Sequence, residues 1–280
     1  MMTRDFIAPA IPEVLERFPR ARDKFLICDL PGFHQAGGAI TPGHNAHEYR
    51  AALHKMQHGD MSLVPAADAY LREMEAHVFV SRAYRTIDDV VGSFPNVPNV
   101  LAGVPCAMRR RVRVAKETAP LVVITEQAPS GSITSEQMAR RGAAVLALVQ
   151  LLANKRPVEL WGTVTLGDTN QFNSILYRIE TAPLDLARAA FMLCDDDVTR
   201  VVGYQLIQQR FSETAGGFAY GAEHLERKYA AQAFGRAIDA SAQVLYVSFM
   251  HSTDKALNNP IAWIKTNLAL YGGETYQQED

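Results

Sequence analysis

The chain has 280 residues, 48% of them hydrophobic, and a formal net charge of −2. This is enough apolar material for one large core or a core with an annex. It is too little positive charge to coat nucleic acid by bulk attraction, which leaves only a local basic face. Cys28, Cys106 and Cys194 stand far apart with no CxxC or Cys/His spacing, so they read as reduced thiols and not as a zinc site.

The N-terminus has no long apolar segment of the kind a signal peptide needs. No uncharged apolar run approaches the roughly 20 residues of a membrane span. A cytoplasmic protein with no membrane contact is expected. The first 44 residues are weakly patterned, with a short helix around Pro12 to Arg17 and a strand over Phe25 to Cys28. Pro31 to Asn45 is rich in glycine and proline and reads as a loop. His34, His44, His47, His54 and His58 crowd into this region. Their irregular spacing and the missing carboxylate pair favour solvated histidines over a metal site.

Asn45 is placed to cap a helix ending at His58 and Gly59, and a second helix runs from Val64 to His77 with Pro65 in its first turn. Both are amphipathic, which predicts a helical hairpin. A strand is expected around Val78–Val80 and Tyr84. Val90 to Met108 contains three prolines and two glycines among recurring apolar residues, which predicts an ordered connector laid over the core. Arg109-Arg110-Arg111-Val112-Arg113-Val114, with Lys116, predicts an exposed edge strand whose charges block edge pairing. Its rival reading is a nucleic-acid-binding strip formed by Arg109, Arg110, Arg111, Arg113 and Lys116, extended by Arg140 and Arg141.

The most legible stretch is Pro120 to Leu166. Leu121-Val122-Val123-Ile124 is a short β-branched run suited to a buried strand. Ala128-Pro129-Ser130-Gly131-Ser132 is a turn. Thr134 or Ser135 caps a helix reaching about Ala153 that is apolar almost all round and must be covered on several sides. Val158 to Leu166 alternates with a period of two. The unit predicts side-by-side parallel strands joined by a helix. Ile175 to Ile179 follows too closely for another crossover, so it forms a hairpin or a neighbouring strand.

Further on, a helix is expected over Leu186–Leu193. Asp195-Asp196-Asp197 is read as the cap of a helix over Val198–Gln209, in preference to a divalent-cation site. A long helix over Ala222–Ala242 should bury Leu225, Tyr229, Ala233 and Ile238. A strand over Gln243–Met250 leads into His251-Ser252-Thr253-Asp254, and a last helix starts at Pro260. The expected division is an N-terminal annex over 1–115, with the helical hairpin and proline-rich connector, and an α/β core over 116–280.

In a parallel sheet, function gathers beyond the carboxyl ends of the strands. Two such ends are readable, Thr125–Ser135 and Met250–Asn259. They nominate Ser130, Ser132, Thr134, His251 and Asp254 as partner-binding candidates, since a helix N-terminus with free amides and hydroxyls can take an anion or a partner's carboxylate. His251, Ser252 and Asp254 nominally hold a base, nucleophile and orienter, yet neighbours on one loop do not converge as a triad must. The turn is neither a phosphate-binding P-loop nor a nucleophile elbow.

The chain from about Asn45 to Gln209 resembles an uncharacterised family of tailed-phage proteins. The resemblance is carried by His58-Gly59-Asp60 with Ser62-Leu63-Val64, by Pro95-Asn96-Val97-Pro98 with Leu101-Ala102-Gly103-Val104-Pro105 and Met108, and by Arg140-Arg141-Gly142-Ala143-Ala144-Val145-Leu146-Ala147-Leu148. It continues in Pro157-Val158-Glu159-Leu160-Trp161 and in Pro183-Leu184-Asp185-Leu186 with Ala189 and Phe191. The core is similar to a von Willebrand factor A domain, whose metal-ion-dependent adhesion motif reads Asp-x-Ser-Gly-Ser between an apolar strand and a long helix. Here Ser130-Gly131-Ser132 matches and Ala128 replaces the Asp. The resemblance implies a three-layer, Rossmann-like, mostly parallel sheet with helices on both faces. It implies no catalytic residue, cofactor or metal. The expected function is a phage-encoded, non-enzymatic protein-binding module with a degenerate adhesion site, working in the host cytoplasm. The alternatives are a nucleic-acid-binding protein and a hydrolase built on Ser130 or His251. The partner and the oligomeric state are not fixed by the sequence.

Overall fold

A computed structural model describes residues 3–7, 24–40, 46–77, 84–92, 94–113, 120–167, 172–211, 227–238 and 243–272. Strands β1 (Thr3–Ile7) and β2 (Lys24–Asp29) pair antiparallel. Asp29 then caps helix α1 (Leu30–Gly38), its carboxylate accepting from the Gly32 amide at 2.7 Å, with Pro31 in the first turn. The loop expected from Pro31 is therefore a helix as far as Gly38. A carboxylate cap and a proline at a position that needs no amide outweigh the low helix propensity of glycine. Helix α2 (Ala46–His58) ends at Gly59, whose φ of +80° and close approach to Ala187, 2.6 Å from a would-be Cβ, admit only glycine. Helix α3 spans Val64–His77, as expected.

Residues Glu75–Thr118 form a compact unit of their own, and Met1–Met74 with Ala119–Asp280 form the main unit. The division expected at residue 115 is thus displaced, because β1 and β2 belong to the main sheet. The smaller unit contains β3 (Tyr84–Asp89), β4 (Phe94–Pro95), a short helix α4 (Val97–Leu101) and β5 (Met108–Arg113), with strand order β3-β5-β4. The arginine strand β5 is central and not an edge. Asp88 lies opposite Arg109 and Asp89 precedes the turn, so acidic neighbours remove the repulsion that would keep arginines unpaired.

In the main unit, β6 (Leu121–Glu126) leads through a turn to α5 (Ser135–Ala153) and β7 (Val158–Gly167). β6 and β7 are adjacent and parallel, in register from Leu121–Val158 to Glu126–Thr163. Thr134 caps α5 with a reciprocal capping box, its hydroxyl accepting from the Gln137 amide while the Gln137 side chain accepts from the Thr134 amide. β8 (Phe172–Ile179) returns antiparallel to β7 and lies parallel to β2. Helix α6 (Leu186–Cys194), a π-helical turn (Asp197–Gly203), α7 (Tyr204–Arg210) and α8 (Arg227–Ala237) follow. β9 (Gln243–Val247) pairs parallel to β6, and α9 (Lys255–Asn258) and α10 (Pro260–Tyr271) complete the described chain.

The result is an α/β fold around a mixed sheet of order β1-β2-β8-β7-β6-β9. Strand alternation sends Val122, Ile124, Trp161, Leu176 and Tyr246 to one face, where Ala230, Ala233, Phe234 and Ala237 of α8 cover them. Leu121, Val123 and Leu245 take the other face, and α5 packs on β7 and on α6, α9 and α10. At Gly142 the α5 and α6 backbones touch, since a Cβ there would sit 2.1 Å from the Leu193 carbonyl. α2 packs mainly against α1, α6 and the π-helical turn, so the hairpin expected with α3 is not its principal packing. The helix expected over Ala222–Ala242 is described as α8 alone, and the second half of the Val198–Gln209 helix is α7 after the π-helical start. The expected helix at Pro12–Arg17, the strand at Val78–Val80, and His44, Asn45, Lys116 and Leu225 lie outside the described residues. Among the described residues no helix is long and apolar enough to cross a membrane.

Candidate functional site

The carboxyl ends of β6 and β9 lie side by side, which brings the two loops nominated by sequence to one end of the sheet. They are joined by backbone: the Ser130 amide donates to the Met250 carbonyl at 2.8 Å, and Pro129 and Met250 form a parallel bridge. Ile133, Met138, Met250 and Leu257 make a small buried cluster between these two loops and the first turn of α5. Ser132, Thr134, His251 and Ser252 are exposed and Ser130 is half-buried.

The charge that organises this end is Arg141, fully buried on α5. Its Nε donates to Asp254 Oδ2 at 2.6 Å, Nη1 to Thr125 Oγ1 at 3.2 Å, and Nη2 to the Ser248 and Val247 carbonyls at 2.5 and 3.4 Å. One guanidinium therefore ties α5, β6 and the loop after β9 together. A buried cation is tolerable when its donors are matched by an opposite charge and by acceptors. The other Asp254 oxygen accepts from the Ala256 amide at 2.8 Å and caps α9. Asp254 thus points inward as a clamp and does not orient His251. The His251 Nδ1 instead lies 3.3 Å from both the Ser252 and Thr253 hydroxyls.

Glu126, the last residue of β6, is fully buried. It accepts from the Ala128 and Thr165 amides at 2.9 and 3.2 Å and from the Thr165 hydroxyl at 2.5 Å, and that hydroxyl lies 2.9 Å from the Ser174 hydroxyl. Burial pushes its carboxyl up to about 7, against the lowering effect of these bonds and of the Arg141 charge. The Glu126 carboxylate is thus held inside the sheet by Thr165 and the Ala128 amide. Ala128, where the adhesion motif has Asp, is buried and contributes only its backbone.

A third loop meets this end. The Thr199 hydroxyl donates to the Gln127 carbonyl at 3.2 Å, Arg200 Nη2 to the Ile133 carbonyl at 2.6 Å, and the Ser135 hydroxyl to Asp196 Oδ2 at 2.7 Å. Asp195, Asp196 and Asp197 bring oxygens within 4.8 Å of one another, the one such acidic or histidine gathering among the described residues. Two of them are engaged: Lys55 reaches Asp195 at 3.2 Å and Arg200 reaches Asp196 at 3.1 Å. Asp195 also accepts from the Asp197 amide at 2.9 Å, whereas Asp196, the N-cap of the π-helical turn, makes no side-chain cap bond. Burial, then Asp195, raises the Asp197 carboxyl above its ordinary value.

The remaining candidates are dispersed. His34 sits on α1, and His47, His54 and His58 are exposed on α2, the last two with rings 4.4 Å apart. Arg109 and Arg110 pair with Asp88 and Asp89 at 3.6 and 2.8 Å. Arg111 and Arg113 lie on β5. Arg140 pairs with Glu136 at 3.6 Å, and Arg141, which the sequence suggested as part of a basic face, is inside the protein. A cleft of about 320 Å³ opens elsewhere, at the carboxyl ends of β2 and β8, with Asp29, Arg178, Glu180, Asp185 and Arg188 in its wall. Asp29 and Asp185 are spent there on capping α1 and α6.

An α/β chain with a hydroxyl-bearing rim at the end of its parallel strands is the class defined by this geometry. Residues 43–273 match the model of a family described as a domain of unknown function (DUF7192), and the chain belongs to that family. No curated protein and no solved structure matches the chain.

Proposed function

We propose that the chain is a non-enzymatic, phage-encoded binding module with a von Willebrand factor A-like core, which engages a protein partner through the rim formed by Ser130–Thr134 and His251–Ser252. The carrying observation is the Arg141 clamp: a buried guanidinium ties α5 to the end of β6 and to the loop after β9, and the Ser130–Met250 backbone bond joins that loop to the other, so the exposed hydroxyls and amides are held ready before any partner arrives. Preorganisation of this kind lowers the ordering cost of association. The parallel β6–β7 pair, with a long helix starting directly after a Ser-x-Ser turn, supports the adhesion-domain reading of the core. The phage origin rests on the sequence resemblance.

The donor set at the turn does not fit a divalent cation. Ala128 offers no side-chain oxygen, Glu126 faces inward, and a hard cation wants carboxylate oxygen. In this reading Arg141, buried and paired with Asp254, only holds the rim in place, and recognition proceeds without metal. The test is affinity capture from host cells with the wild type and with Ser132→Arg and His251→Glu. Both variants should lose the captured partner while melting unchanged. Adding Mg²⁺ or Mn²⁺ should leave the melting temperature where it was; stabilisation by several degrees at micromolar metal would overturn the metal-free rim.

A further inference from the structure

Within the 75–118 unit, the stretch from Val90 to Val104 displays its hydrophobic side chains outward. Of the nine large hydrophobic residues that are exposed among the described residues, seven fall between Val90 and Val104. Val97, Val100 and Leu101 follow the spacing of one face of α4, Val104 follows beyond Gly103, and the four are 58, 51, 83 and 41% exposed. Helix α4 has no buried residue. Val90, Val91 and Phe94 add 63, 74 and 61% exposure beside it.

This display is built into the unit. Asp88 accepts from Asn96 and Asn99 at 3.0 and 3.2 Å and pairs with Arg109, which anchors both ends of the α4 entry to β3 and β5. The Asn96 amide donates to the Ala107 carbonyl at 2.7 Å, and the Val104 amide to the Asn99 carbonyl at 2.9 Å. Gly92 lies against the Arg109 backbone, where a Cβ would approach within 2.4 Å. A connector that merely lacked structure would not hold its apolar groups out at the cost of so many specific bonds.

We infer that this face is an interface between two copies of the chain. At these exposures the seven residues together present several hundred Å² of surface, at or above a monomer's largest patch. This is of the same order as the about 800 Å² that each partner contributes to a stable interface of standard size. A two-fold interface brings each patch against itself, so its border must not repel its own copy. The bordering arginines Arg109 and Arg110 are neutralised within the unit by Asp88 and Asp89. These two arginines are committed to their pairs, where an anionic lipid surface or nucleic acid would need free cations. Dimerisation here would pair two rims of the proposed binding module and raise the strength of attachment to a repetitive partner.

Sedimentation velocity of the full chain, from low to high micromolar concentration, tests this directly. The expected result is a species of twice 30.9 kDa, reduced to the monomer mass in Leu101→Asp and in the double variant Val97→Asp/Leu101→Asp. Both positions are exposed, so both variants should keep the wild-type circular dichroism. A chain that is monomeric throughout overturns the inference, as does a dimer that survives both substitutions. Flotation of monomeric wild type with anionic vesicles, lost in Leu101→Asp, would overturn it in favour of a membrane surface. Failure of either kind leaves the partner-capture reading of the rim untouched.

Discussion

The two units handle charge and hydrophobicity in opposite ways. The main unit takes Arg141, Glu126, Thr165 and Ser174 inside, whereas the 75–118 unit turns Val91, Phe94 and Leu101 outward and keeps its ion pairs at half-exposed positions. The difference follows from size. A small unit cannot bury every side chain it carries, and a large one can enclose a polar network only if each member is satisfied. Where a buried network is complete it fixes a shape, and where an apolar face is left open it asks for a partner. The two units should therefore respond to substitution with opposite sensitivities.

The sharpest break comes from Arg141→Met. It removes the guanidinium and leaves the Asp254 carboxylate, only 9% exposed, without its counter-charge. Breaking one side of a buried ion pair costs about 3–5 kcal/mol, so thermal melting should fall by roughly 10 °C or more. Asp254→Asn keeps an acceptor for the Ala256 amide and should cost less. If Arg141→Met melts like the wild type, the clamp does not hold the rim.

Gly142→Ala comes next. Its new Cβ would meet the Leu193 carbonyl at 2.1 Å, backbone against backbone, and the two helices must separate. Overpacking of this kind costs about 1–3 kcal/mol and at times more. Chemical denaturation would measure it.

These two neighbours also show what the sequence could disclose. Gly142 and the apolar run around it declared a helix packed on several sides, and the β6–α5–β7 unit followed from periodicity. Sequence alone offers Arg141 only to the rival basic-face reading, because arginine is rarely buried. The signal was nevertheless present, since Arg141 stands between Met138 and Val145 on a helix with almost no polar face. Helix α1 was hidden by its glycines and proline, although Asp29 with Pro31 two residues on is a helix-start pattern. The centrality of β5 was invisible for another reason: its partners Asp88 and Asp89 are distant in sequence, and pairing across a sheet leaves no local period.

An effect that depends on pH should come from Glu126→Gln. The Glu126 carboxyl titrates at about 7 when folded, against 4.5 as the ordinary value. A raised folded value means its contribution is fully present below about 4.5 and is lost as pH rises through 7. With one pH unit worth about 1.4 kcal/mol, the loss is on the order of 3 kcal/mol. The wild type should then be less stable at neutral pH than near pH 5, and Glu126→Gln, which keeps acceptors for Ala128 and Thr165, should flatten that slope. Melting temperature recorded against pH for both proteins is the measurement. Parallel curves would mean that Glu126 is not the group responsible.

The least effect on folding is expected where the apolar surface is greatest. Leu101 is 83% exposed, so replacing it by Asp removes almost no buried contact, and a surface change of this kind stays within about 0.5 kcal/mol. At dilutions where the wild type is itself monomeric, Leu101→Asp should melt with it. At higher concentration the wild type should gain stability with concentration while the variant stays level, because association draws only on the folded state. That divergence separates an open face that serves assembly from one that serves the fold. A loss of several kcal/mol at every concentration would place Leu101 in the interior logic of the main unit and erase the contrast between the two.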